Sequence, residues 1–222
     1  MKRLRGVNVV VAANQFNPSM FSQIWLVNNG IFDQSVFEQQ PIPPDRFVFL
    51  PVCTQVKTDD MELLVVHERL QLSLSEAHLN AVGYARLQER IKMILLLVPH
   101  TPFTGMGFNF EWLAAPDGEE VNHLLRRTFV NPQSSFFALF DPEKSGLGTF
   151  VVTEWEGAKL TVQVKPVRLK DASGEQKAIH FDFNYHYDYP TDGSVQFLVR
   201  QLGLFQSALG HSETVVDSLL RG

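Results

Sequence analysis

Between residues 180 and 189 the chain reads His-Phe-Asp-Phe-Asn-Tyr-His-Tyr-Asp-Tyr, polar and aromatic residues alternating without a break. On a β-strand successive side chains point to opposite faces. His180, Asp182, Asn184, His186 and Asp188 would then share one face, and Phe181, Phe183, Tyr185 and Tyr187 the other. Imidazoles and carboxylates hold metal ions and move protons, so the chemistry this row invites is metal-assisted hydrolysis, with His180, Asp182 and His186 as candidate catalytic residues. Spacing limits the idea. Same-face neighbours on a strand stand about 7 Å apart, so at most two adjacent members reach one ion and other strands must complete the site. The plainer expectation is the wet face of a half-buried strand, with the aromatics in the core and no metal bound.

The rest of the chain holds little that chemistry could use. Cys53 is the single cysteine. As a nucleophile it needs a base and an electropositive setting, and the candidate base offered by the same hairpin, His67, carries no Cys-His signature around it, so a buried, inert cysteine is expected. Gly105-Met106-Gly107 lacks the Gly-Lys-Ser/Thr ending of a phosphate loop and leads into a strand. There is no Gly-x-Ser-x-Gly elbow, His-Glu-x-x-His pair or paired Cys-x-x-Cys. His78, His100, His123 and His211 read as isolated surface or capping residues. Nothing in the pattern calls for a cofactor or a metal.

The elements that would position these residues come from periodicity and punctuation. Val7 to Phe16 reads as a strand stopped by Asn17-Pro18, and not as a signal peptide, because Asn8 interrupts a β-branched run. Ser19 can cap a helix from Met20 to Asn28, and a proline-bearing loop from Ile31 to Asp45 follows. Arg46 to Lys57 and Met61 to Leu72 form a hairpin about Thr58-Asp59-Asp60. Ser75 then starts a helix with an apolar stripe of Leu79, Val82, Leu87, Ile91 and Ile94, closed by Pro99. Gly105 to Leu113 alternates as a strand, Asp117 to Phe129 is an amphipathic helix, and Val130 to Gly146 is a second loop. Strands are predicted at Leu147 to Trp155, Lys159 to Leu169 and Ala178 to Tyr187, joined by Glu156-Gly157 and by Asp171-Ala172-Ser173-Gly174. Ser194 to Leu220 is helical, with interruptions expected near Gly203 and Gly210.

The second half repeats the element order of the first. Setting Val52 to Leu70 against Val151 to Leu169 without gaps gives five identities in nineteen positions: Val52, Thr54, Val65, Arg69 and Leu70 with Val151, Thr153, Val164, Arg168 and Leu169. The expectation is an α+β protein of two tandem β-α-β-β-(β)-α units, 1–99 and 100–222, in one globular body. Its sheet is mainly antiparallel with helices packed on one face. In element order this resembles the tandem, saddle-shaped arrangement of the TATA-box-binding-protein-like folds. Fold alone implies no function.

Composition narrows the partners. Apolar residues are 45% and charged residues 19%, a globular balance. Net charge is −5, and the basic residues cluster only at Lys2-Arg3-Leu4-Arg5 and Arg126-Arg127, so no basic stripe exists for nucleic acid. No apolar run is long enough for a membrane span, and the lone cysteine suits a reducing, cytoplasmic setting. The 18 phenylalanines point to a core or interface of flat side chains. Several sit in loops: Phe32 and Phe37, beside Ile31 and Val36, in the first, and Phe136, Phe137 and Phe140, beside Leu139, in the second. Each loop either caps its own core or offers a partner surface.

Three functions follow from these readings. The favoured one is a non-enzymatic adaptor or complex subunit that binds another protein, or itself, through a sheet surface and the two Phe-bearing loops. The second is the metal-assisted hydrolase. The third is a small-ligand binder whose phenylalanines line a pocket between sheet and helices.

Overall fold

A computed structural model describes residues 1–38, 46–131, 133–141, 144–171 and 174–221. The prolines of the first loop and the Ala172-Ser173 turn lie outside the described residues.

Alternation makes the strands. β1 (Lys2–Ala13) buries Val7, Val9, Val11 and Ala13, and β9 (Gly174–Asp188) buries Phe181, Phe183, Tyr185 and Tyr187. Between them come β2 (Phe47–Leu50), β3 (Cys53–Lys57), β4 (Met61–Val66), β5 (Arg69–Leu74), β6 (Phe103–Ala114), β7 (Thr149–Trp155) and β8 (Ala158–Asp171). The nine strands form one open antiparallel sheet in the order β2-β3-β4-β5-β1-β6-β9-β8-β7. With five α-helices among the described residues, the class is α+β.

Several boundaries differ from those expected. Arg46 to Lys57 is two strands, because Pro51 breaks the run and folds β2 back onto β3, pairing Phe47 with Val56 and Leu50 with Cys53. The long helix α2 (Ala81–Leu97) is capped by Asn80, whose side chain accepts the N–H groups of Val82 and Gly83; Ser75 begins only a short 3-10 turn. That turn brings the His78 carbonyl against α2, where a Cβ on Gly83 would lie 2.0 Å from the oxygen. Of the stripe expected on α2, Leu87, Ile91 and Ile94 are buried and Val82 is exposed. The short helix α1 (Gln23–Asn28) is capped by Ser22, and α3 (Val121–Phe129) by Glu120. At the C-terminal end the helix breaks at Gly203 into α4 (Val195–Leu202) and α5 (Phe205–Arg221), and Gly210 does not interrupt it.

The two hairpins compared in sequence differ in register. Thr54 pairs with Val65, whereas Thr153 pairs with Leu160, because β7 and β8 close through a two-residue turn with both Glu156 and Gly157 at positive φ. Val164 is therefore not the counterpart of Val65. Arg69 opens β5, while Arg168 lies inside the longer β8.

The chain divides into two compact units that share strands β1, β6 and β9 and helix α5, so neither is a continuous stretch. One comprises Met1–Arg5, Phe110–Tyr185 and Ser207–Gly222; the other comprises Gly6–Asn109 and His186–Gln206. In the first, Phe181, Phe183 and Tyr185 stack along β9 with ring centroids 6.4 Å apart. In the second, Phe108 packs against Tyr187 and against Phe205 of α5, which also meets Tyr84 of α2.

Candidate functional site

The His-Asp row stands on the side of β9 opposite its buried aromatics, as alternation requires. Its members find separate partners. In the first unit His180 is 19% exposed and Nε2 lies 3.9 Å from Glu111 on β6, while Asp182 and Asn184 are half-buried beside it. In the second unit His186 Nε2 lies 3.1 Å from Asp188 Oδ1. Its ring sits against Gly105, where a Cβ would come within 2.9 Å of it. Among the described residues no three of His, Cys, Asp or Glu gather in a way that could hold a metal ion. The row thus contributes two separate histidine–carboxylate pairs, His180 with Glu111 and His186 with Asp188.

Cys53 is half-buried at the start of β3, opposite Val66, and His67 is exposed in the turn beyond β4. A cleft of about 420 Å3 opens at the end of α2, lined by Met20, Leu97, Val98, His100 and Pro102 among others. No phenylalanine lines it, so it is not the aromatic pocket that ligand binding was expected to use.

The two aromatic loops behave differently. Phe32 and Phe37 are buried, 1% and 6% exposed, and this corrects the expectation that they offer anchors to a partner. Phe37 packs on Phe47 and Phe49 of β2, and the Arg90 guanidinium of α2 lies over the Phe32 ring at 4.8 Å. These side chains cover their own unit's core, and a side chain so enclosed has no area to give. In the second loop Phe136 is 61% and Phe140 46% exposed, Leu139 is more exposed still, and Phe137 is half-buried. The Phe136 ring meets the rings of Phe137 and Phe140.

Strand β7, which this loop leads into, is the feature that sequence reasoning missed. Among the described residues it ends the sheet and pairs only with β8. Val151 stands opposite Val162 and Thr153 opposite Leu160, on the buried side of β8, yet both are exposed. Phe150 and Val152 point to the other side, opposite Gln163 and Thr161. Phe150, Val151 and Val152 are 63%, 45% and 51% exposed, so both faces of the strand show apolar side chains to water. The available signal was Phe-Val-Val in a row, an apolar run beside a loop that was itself apolar.

A second missed group lies further along. Trp155, the last residue of β7, stacks on His211 of α5, and Tyr185 Oη lies 2.7 Å from His211 Nδ1. Burial holds the His211 pKa below its ordinary value, with the Glu156 carboxylate opposing. One residue on, buried Ser212 accepts from Trp112 Nε1 at 3.0 Å and donates to the Leu209 carbonyl.

Compared with known proteins, the chain matches no family model, and no curated protein matches it in sequence. Among the described residues no helix is long and apolar enough to cross a membrane.

Proposed function

We propose that the chain is a protein-binding module, an adaptor or complex subunit, whose contact surface is the outer edge of β7 together with the Phe136–Phe140 segment. The observation that carries this reading is the exposure of Phe150, Val151 and Val152 on a strand that ends its sheet. An edge strand presents unpaired N–H and C=O groups, and proteins usually guard it with lysine, proline, a bulge or a covering loop. β7 has neither lysine nor proline. Exposed aromatics beside such an edge are the side chains that anchor interfaces. The reading concerns binding and not catalysis, since the histidines and carboxylates stand in separate pairs.

Two companion readings belong with it. Read outward from β1 the sheet runs β5, β4, β3, and outward from β6 it runs β9, β8, β7; this order supports two diverged copies of one unit, as in the TATA-box-binding-protein-like arrangement. The single cysteine supports a reducing, cytoplasmic setting.

The test is capture on the immobilised chain, with retained proteins identified by mass spectrometry. The double variant Phe136→Ser/Phe140→Ser should lose a partner that the unaltered chain holds, while its thermal melting stays nearly unchanged. Retention of the same proteins at the same level would refute the reading.

A further inference from the structure

From that reading we propose that the occupant of the β7 edge is the β7 strand of a second copy, paired antiparallel about Val152. The molecule contains its own precedent for what covers such an edge. β3 stands third outward from β1, as β7 stands third outward from β6, and β3 is covered by one further strand, β2, of sequence Phe-Val-Phe-Leu. Beyond β7 there is no further strand among the described residues. β7 itself carries Phe150-Val151-Val152, close in kind to the Phe47-Val48-Phe49 that β2 lays along β3. A second copy of β7 therefore brings the chemistry that the first half uses for the same purpose.

Charge allows the match. Each chain carries −5, but β7 holds a single charged residue, Glu154, which pairs across to Lys159 on β8. With the seven residues of β7 centred on Val152, Val152 meets its own copy, Val151 meets Thr153, Phe150 meets Glu154 and Thr149 meets Trp155. No like charges stand opposite, which is where they would destabilise a strand pair. A two-fold pairing of this kind closes on itself and forms a dimer, not a fibre.

On β7 itself, at about 200 Å2 for a fully exposed aromatic and somewhat less for an aliphatic, Phe150, Val151 and Val152 present roughly 270 Å2 per copy, to which the ladder hydrogen bonds of the paired edges add. The opposite edge is a weaker candidate. β2 has four residues, is followed by Pro51, and is partly covered by the Phe37 ring.

The experiment is light scattering coupled to size exclusion, on the full chain and on Val152→Lys, with disulfide trapping in a Cys53→Ser background. The full chain should elute at twice its 25.2 kDa mass, and Val152→Lys at the single mass with unchanged circular dichroism. Val152→Cys should cross-link to a dimer on oxidation. Phe150→Cys should not, because the centred register separates the two copies of that position by about 13 Å along the strands, beyond the reach of a disulfide. A full chain that stays monomeric up to its solubility limit overturns self-pairing, as does a Val152→Lys variant that remains dimeric or cross-linking at 150 in place of 152. A monomer whose partner is still lost on substituting Phe136 and Phe140 leaves the binding reading intact and refutes only the second copy as occupant.

Discussion

Phe32 and Phe136 each lie in an aromatic loop, and the structure predicts opposite consequences for truncating them. Phe32 is fully enclosed, faces Phe37 edge-on at 6.5 Å, and carries the Arg90 guanidinium over its ring. Phe32→Ala removes a buried ring and leaves a cavity, a loss of about 3–5 kcal/mol. Part of it is the cation–π contact, worth about 0.5–2 kcal/mol. For a chain of this length each kcal/mol moves the melting temperature by about 2–4 °C, so the expected fall is roughly 6–20 °C. Phe136 is mostly in water and touches mainly its loop neighbours, so Phe136→Ala should cost about 1 kcal/mol or less, a fall of no more than about 4 °C. Thermal unfolding followed by tryptophan fluorescence, with urea midpoints at constant slope as a check, measures both. A Phe32→Ala fall under about 3 °C, or a Phe136→Ala fall as large as that of Phe32→Ala, would refute the assignment of one loop to the core and the other to a surface.

Two further outcomes are expected. Because burial lowers the His211 pKa from 6.5, the unfolded chain binds a proton more readily than the folded one. Its contribution to stability is complete above 6.5 and is lost as pH falls through the lower, folded-state value, so melting temperature should drop on acidification more steeply than in His211→Gln. Equal slopes would remove His211 as the cause. Thr54, buried on β3, donates its hydroxyl to the Pro18 carbonyl at 2.8 Å. Thr54→Val keeps the shape and removes one of the two hydrogen bonds that carbonyl accepts, the other coming from the Phe21 N–H; the urea midpoint should report a loss of about 0.5–1.5 kcal/mol, and an unchanged midpoint would sink the point.

Local pattern made much of the fold readable. The strict alternation from His180 to Tyr187 put the aromatics of β9 in the core, though the polar face is half-buried and not the wet face expected, and the turn at Thr58-Asp59-Asp60 fixed the β3–β4 hairpin. What failed depended on contacts distant in sequence. Whether Phe37 is core or surface is decided by β2, and β2 was hidden inside a run that appeared to be one strand. Asn80 displaced Ser75 as the cap of α2 because an intervening 3-10 turn takes up the residues between them, which propensity alone does not reveal. His211 looked isolated since its neighbours, Tyr185 and Trp155, lie far back along the chain. The exposed edge was invisible for a related reason: a sequence shows that a segment is a strand, but its place at the end of a sheet is settled by all the others.

Helix α5 illustrates what a few polar atoms do inside an aromatic core. A greasy helix face can slide by a turn along flat rings with little change in buried area, and such a helix has several nearly equivalent seats. Here Ser212 must meet the Trp112 indole N–H, and His211 must meet the Tyr185 hydroxyl at the adjacent position. Shifting or rotating the helix strands both groups in an apolar setting, at a penalty of about 1–3 kcal/mol each. The pair therefore acts as a phase lock. It gives the C-terminal helix a single seat on its sheet, where apolar contact alone would tolerate several.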